Sequence, residues 1–160
     1  MLLLLFLAYW FQSAPNAVAT CVWRPEKVLS SGAKLSANQT YFVLSLAHNN
    51  QEIENQYVAN TALYTRVVQY LNHDIAQDVY LRLPGRPDSV AATLASYPRQ
   101  YGSTGRSAVL LVFPGPEKQL ARGCRVVFRA EKFALGTLRF DFSAADIRLL
   151  AQRRRAPAAN

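Results

Sequence analysis

This chain has little of what catalysis usually needs. Its 160 residues include two histidines, two cysteines and one methionine, and 18% of them are charged. A zinc site takes three or four ligands at short spacings, and two histidines and two widely separated cysteines do not supply them. Neither a metal nor another cofactor is expected. The G-x-S-x-G nucleophile elbow and the H-E-x-x-H metalloprotease motif are absent. There is no internal repeat. Acidic residues are also few, at 10 against 18 lysines and arginines. The low charge excludes disorder of the whole chain.

What is present is apolar. Hydrophobic residues make up 51% of the sequence. A single chain of this length forms one domain and buries roughly two-thirds of its unfolded surface. The net charge of +8 is uneven. Arg24, Lys27 and Lys34 cancel Glu26, Glu52 and Glu54, residues 61–100 contribute +1, and residues 101–160 carry the remaining +7. Such an asymmetry marks a surface that meets something anionic.

Residues 2–11, LLLLFLAYWF, are uninterrupted apolar sequence. As a helix they span roughly 15 Å, half of a bilayer's hydrocarbon core, which suits a signal-peptide core better than a membrane span. Ala17-Val18-Ala19 supplies the small-x-small pattern of a cleavage site. No basic residue precedes Arg24, although export signals ordinarily begin with one. The expected organisation is a signal peptide over 1–19, one domain over 20–152 and a disordered basic tail over 153–160. Export to the periplasm or cell envelope of a bacterium follows. Cys21 then has two exclusive uses. It is the lipidated residue of an anchored protein, against which Thr20 and Val18 fit the lipobox poorly, or it pairs with Cys124. An exported chain with two cysteines has one possible intramolecular disulfide. Closing a loop of about 100 residues contributes roughly 4–5 kcal/mol in the chain-entropy model.

Periodicity outlines the rest. TYFVLSL, residues 40–46, reads as a buried strand. Ile53, Tyr57, Tyr64, Val67, Val68, Leu71 and Ile75 form one helical stripe, giving a helix over about 51–73 capped by Asn49 or Asn50. Strands are expected at 78–83 and 107–113, with a short helix at 89–97 between them. Residues 124–133 and 137–142 alternate as a β-hairpin. Ser143 with Asp146 resembles a capping box that starts a last helix. The fold class is α+β: a single domain with a mixed or antiparallel sheet of four to five strands packed against a long helix, then a C-terminal β-hairpin and short helix.

Three clusters carry the candidate chemistry. His73 with Asp74 or Asp78 is a general-base arrangement, and these residues equally suit the end of a helix. The loop YPRQYGSTGRS places Tyr97, Arg99, Tyr101 and Arg106 together. Tyrosine stacks on rings and arginine forks onto phosphate or carboxylate, while a connector with Tyr97 in the core is the plainer reading. The hairpin carries Arg122, Arg125, Arg129, Lys132 and Arg139, of which Arg125, Arg129 and Arg139 are expected to share a face, with Glu131 and Asp141 available to pair across it.

The expected function is an exported, non-enzymatic accessory or binding protein of the cell envelope. Its partner is an envelope protein or an anionic polymer or lipid surface, met through the hairpin face and the 97–106 loop. Nucleic acid does not fit an exported protein. The alternatives are a small exported hydrolase using His73, and a lipid-anchored assembly factor.

Overall fold

The computed structural model describes residues 12–14, 17–24, 38–101 and 103–152. The apolar run at 2–11 and the basic tail at 153–160 lie outside the described residues. Ten strands form two antiparallel sheets: β1 (Gln12–Ala14), β2 (Ala17–Arg24), β3 (Gln39–His48), β4 (Gln51–Glu52), β5 (Val79–Arg82), β6 (Ser89–Ala91), β7 (Leu94–Ser96), β8 (Ser107–Pro114), β9 (Cys124–Arg129) and β10 (Thr137–Phe142). Sheet A has the order β1-β2-β3-β8-β7, with β4 paired to β3. Sheet B has the order β10-β9-β5-β6. Helix α1 runs over Thr61–Gln69, widens into a π turn at Tyr70–Asp74 and resumes over Ile75–Asp78. Helix α2 is Ala144–Gln152. The α+β class is as expected, but the strands divide between two sheets.

Alternation explains the packing. Ala19, Cys21 and Trp23 on β2, Phe42, Leu44 and Leu46 on β3, and Val109, Leu111 and Phe113 on β8 line the inward face of sheet A. Val79, Leu81, Val126, Phe128, Leu138, Phe140 and Phe142 line that of sheet B, and both sets belong to one buried cluster. Phe42 joins them: its ring meets Phe113 edge-on at 5.7 Å and, across the sheets, Phe142 at 5.3 Å. Val67, Tyr70, Leu71 and Ile75 of α1 bury themselves in the same cluster. The π turn lets Val67, Leu71 and Ile75, spaced by four, stack over one another without drifting around the axis.

Several local expectations are corrected. Residues 17–24 form a full strand, and Ala17, Val18 and Ala19 pair with His48, Ala47 and Leu46. The helix expected from residue 51 begins at Thr61, after Asn60, whose side chain accepts from the Leu63 amide at 3.0 Å. Asn49 and Asn50 instead adopt φ of 51° and 58° between the paired residues His48 and Gln51. Positive φ at both central positions is the hairpin-turn pattern asparagine tolerates. Ile53 and Tyr57 fall in a 3₁₀ turn, so their helical spacing is coincidental. The expected helix at 89–97 is replaced by β6 and β7, which pair with β5 and β8. Between them the Ala92 amide donates to Val79 of sheet B and the Thr93 amide to Val112 of sheet A. A nine-residue helix is marginal alone, and two unfilled sheet edges outcompete it. The strand from Cys124 ends at Arg129, because Glu131–Phe133 turns into a 3₁₀ segment.

The hairpin expectation holds. Thr137–Phe142 pairs residue for residue with Arg129–Cys124. The capping box also forms: the Asp146 amide donates to Ser143 Oγ at 3.1 Å, and Asp146 Oδ2 accepts from the Ser143 amide at 3.1 Å.

Phe42→Ala is expected to destabilise the protein by about 3–5 kcal/mol, because it removes a fully buried ring at the contact between the sheets. A urea titration followed by tryptophan fluorescence measures it. A loss under about 1 kcal/mol contradicts this packing.

Candidate functional site

The hairpin arginines come together as the alternation implies, and β5 adds to them. Arg125 and Arg129 on β9, Arg139 on β10 and Arg82 on β5 point away from the core and are exposed. Register sets two rows across sheet B. One is Asp141–Arg125–Arg82–Ser89 and the next is Arg139–Val127–Tyr80–Ala91. Arg82 and Arg125 are directly opposed on neighbouring strands, an arrangement of like charges that costs stability.

Carboxylates neutralise part of this face. Arg125 Nε donates to Asp141 Oδ1 at 2.5 Å and its Nη2 to Oδ2 at 3.2 Å. Asp78 accepts from Lys132 at 2.9 Å and faces Arg129 at 3.5 Å. Burial alone acts to raise the Asp78 pKa, but hydrogen bonds from Lys132 and Tyr70 and the charges of Lys132 and Arg129 outweigh it, and the net shift is downward. Arg82, Arg122 and Arg139 have no carboxylate partner among the described residues. Arg82, Arg122 and Arg125 line a cleft of about 450 Å³ together with Leu83, Cys124 and Phe142. Gly123 forms part of its wall at φ +87°, where a Cβ would lie 2.6 Å from the Phe142 carbonyl oxygen.

The 97–106 loop does not act as a unit. Tyr97 is 3% exposed, and its hydroxyl donates to the carboxylate of buried Glu54. It is a core residue and is corrected as a ligand candidate. Ser107 Oγ donates to the other Glu54 oxygen at 2.5 Å and accepts from the Ile53 amide at 2.9 Å. The network ties the 3₁₀ turn to β8. Burial, followed by the hydrogen bond to Glu54, raises the Tyr97 pKa. Arg99 and Tyr101 remain outside: Arg99 donates to Tyr64 Oη at 2.8 Å and stacks over the Tyr64 and Tyr101 rings at 5.4 and 5.2 Å. Arg106 is exposed at the other end of the loop.

His73, Asp74 and Asp78 are not brought into a base arrangement. His73 is exposed and makes no ion pair with either aspartate. Asp78 is committed to Tyr70, Lys132 and Arg129. Asp74 lies on the rim of a separate groove of about 570 Å³ along α1, lined by Tyr57, Leu63, Val67, Tyr70 and Phe133. Among the described residues no cluster of histidine, cysteine and carboxylate could hold a metal ion.

The expected Cys21–Cys124 bond is not formed: both are free, buried thiols on opposite sheets. Burial, then the neighbouring Cys124, raises Cys21 well above an ordinary thiol, and burial, then Asp141, pushes Cys124 up to about 12. Cys21 is 0% exposed.

Two outcomes check these placements. Tyr97→Phe is expected to cost about 1–3 kcal/mol, because it leaves a buried carboxylate oxygen without its donor, while Tyr101→Phe changes stability by under about 0.5 kcal/mol. Equal effects in urea titrations contradict the buried role of Tyr97. In the reduced protein neither cysteine is expected to react with iodoacetamide at pH 7.5 until the chain is unfolded, since the thiolate is the nucleophile. Rapid labelling of the native protein contradicts the burial.

No family model, curated protein or solved structure matches this chain, so its function rests on the geometry of the site.

Proposed function

We propose that the protein is a non-enzymatic binding module whose outward face of sheet B captures an anionic polymer. The observation that carries this reading is the row in which Arg82 stands opposite Arg125, flanked by Arg139 on the next row. A sheet serving only its own stability gains by placing opposite charges there. An excess of cations on one flat face raises the local concentration of a polyanion and speeds its capture.

A polymer is favoured over a folded protein by what the face lacks. Protein interfaces concentrate their energy in buried aromatic and aliphatic anchors. Among the described residues the exposed large apolar ones are Val18, Val58, Leu63, Leu94, Tyr101 and Leu149, and none of them lies on the outward face of sheet B, where Tyr80 is half-buried. The α1 groove has apolar lining, but it is a separate surface.

Export to a bacterial cell envelope is part of the proposal and rests on residues 2–11 and the Ala17-Val18-Ala19 spacing. Among the described residues no helix is long and apolar enough to cross a membrane. A cut after Ala19 would release β1 and keep the five β2–β3 pairs from Thr20–Ser45 to Arg24–Tyr41. A disulfide between Cys21 and Cys124 is the matching proposal for an oxidising compartment, since both thiols face the one core between the sheets.

Arg139→Glu with Arg129→Glu is expected to weaken binding of the full chain to inorganic polyphosphate at least tenfold. Wild-type affinity should fall steadily between 50 and 300 mM salt as screening grows. Surface plasmon resonance measures both. Unchanged affinity in the double variant contradicts a polymer site on sheet B, and capture of acidic proteins but not polyphosphate reassigns the partner.

A further inference from the structure

The basic face narrows into one concave place, the cleft lined by Arg82, Arg122 and Arg125. We infer that this cleft seats a single phosphate monoester group, such as the terminal phosphate of a larger molecule. The inference rests on the anionic-partner reading of the same face and names the group that is recognised.

The lining holds three arginines and two aspartates, a net charge of +1. Five charged side chains line the cleft, and both carboxylates are occupied. Asp141 holds Arg125 through two hydrogen bonds. Asp146 Oδ2 accepts from the Ser143 amide and from Ser143 Oγ, at 3.1 and 2.6 Å. Arg82 and Arg122 are left as two guanidinium groups without a carboxylate partner among the described residues. Asp146 offsets one of these two charges, and the donors of both guanidinium groups stay open to an oxyanion. Arg82 and Arg122 alone present more forked donors than the two oxygens of a carboxylate can use, whereas a monoester offers three terminal oxygens.

The cations are also placed by the fold. Arg125 is anchored by Asp141, and Arg82 is set opposite it by the β5–β9 register, with its guanidinium 5.8 Å from the Tyr80 ring centroid. Arg122 lies over the Pro84–Gly85 turn, its Nη1 3.6 Å from where a Gly85 side chain would begin. Leu83, Cys124 and Phe142 add apolar lining.

Titration calorimetry of the full chain with phenyl phosphate, at fixed ionic strength and with benzoate as the comparison, tests this. Phenyl phosphate is expected to bind at least tenfold more tightly than benzoate. Arg82→Gln combined with Arg122→Gln is expected to weaken phenyl phosphate about tenfold or more. Both side chains are exposed, and circular dichroism of the variant should match wild type. Arg24→Gln, on sheet A and outside the cleft, is expected to change phenyl phosphate affinity less than twofold.

Vesicles containing phosphatidic acid separate two sources of the group. Capture on them that soluble phenyl phosphate reverses assigns it to a lipid headgroup. Phenyl phosphate binding without capture assigns it to a soluble molecule or polymer end. Either result upholds the cleft. Equal affinity for benzoate, or unchanged phenyl phosphate binding in the Arg82/Arg122 variant, overturns it. If polyphosphate binding still depends on Arg129 and Arg139 in that event, the basic-face reading survives and the cleft alone fails. Phenyl phosphate bound through Arg82 and Arg122 with no polyphosphate binding is the converse.

Discussion

Everything described here depends on two sheets burying their inward faces against each other, with Phe42 reaching across to Phe142. Once those faces meet, each strand's alternation has one outlet for its polar residues. The outward positions of sheet A hold Val18, Thr20, Val22, Val43, Ser45, Ala47, Ala108, Leu110 and Val112, with Arg24 as a charge at one end of β2. The outward positions of sheet B hold Arg82, Arg125, Arg129, Arg139 and Asp141. The same packing therefore produces a nearly uncharged face and a basic one. The charged residues of that outer face supply a net +3 of the chain's +8.

A buried polar network complements that apolar contact. Glu54 is 1% exposed, a costly position for a carboxylate unless its oxygens are satisfied. Tyr97 and Ser107 donate to both of them, from the two ends of the connection between β7 and β8. This fixes where the 97–106 loop leaves and rejoins the sheet, while Arg99, Tyr101 and Arg106 stay outside. Asp78 ties the end of α1 to Lys132 and Arg129 of the hairpin region. That contact uses up part of the basic charge and leaves Arg82, Arg122 and Arg139 as the surplus.

The parts of the fold legible in the sequence are those whose pattern and partners are both local. TLRFDF alternates strictly and pairs with its neighbour through a short turn, so the hairpin and its outward arginines follow directly. Ser143 and Asp146 sit three residues apart and cap the last helix. What the pattern could not convey was which distant strands meet. Pairing of β3 with β8 and of β5 with β9 joins segments far apart in the chain, so neither the division into two sheets nor the addition of Arg82 to the basic face was visible. Some local signals were ambiguous in physical terms. Ala17-Val18-Ala19 suits both a cleavage site and a close-packed strand, and Ile53 with Tyr57 has helical spacing by chance. Glu54 left no sequence signal, since its partners lie 43 and 53 residues away.

The outward face of sheet B, and no other surface, is proposed to meet the anion. Amide chemical-shift mapping of the full chain during titration with short-chain polyphosphate locates the surface that binds. Shifts are expected to concentrate in residues 79–82, 122–129 and 137–143, with residues 17–24 and 39–48 unmoved. Shifts centred on the α1 groove, around Leu63, Val67 and Tyr70, or spread evenly over the protein, would contradict it.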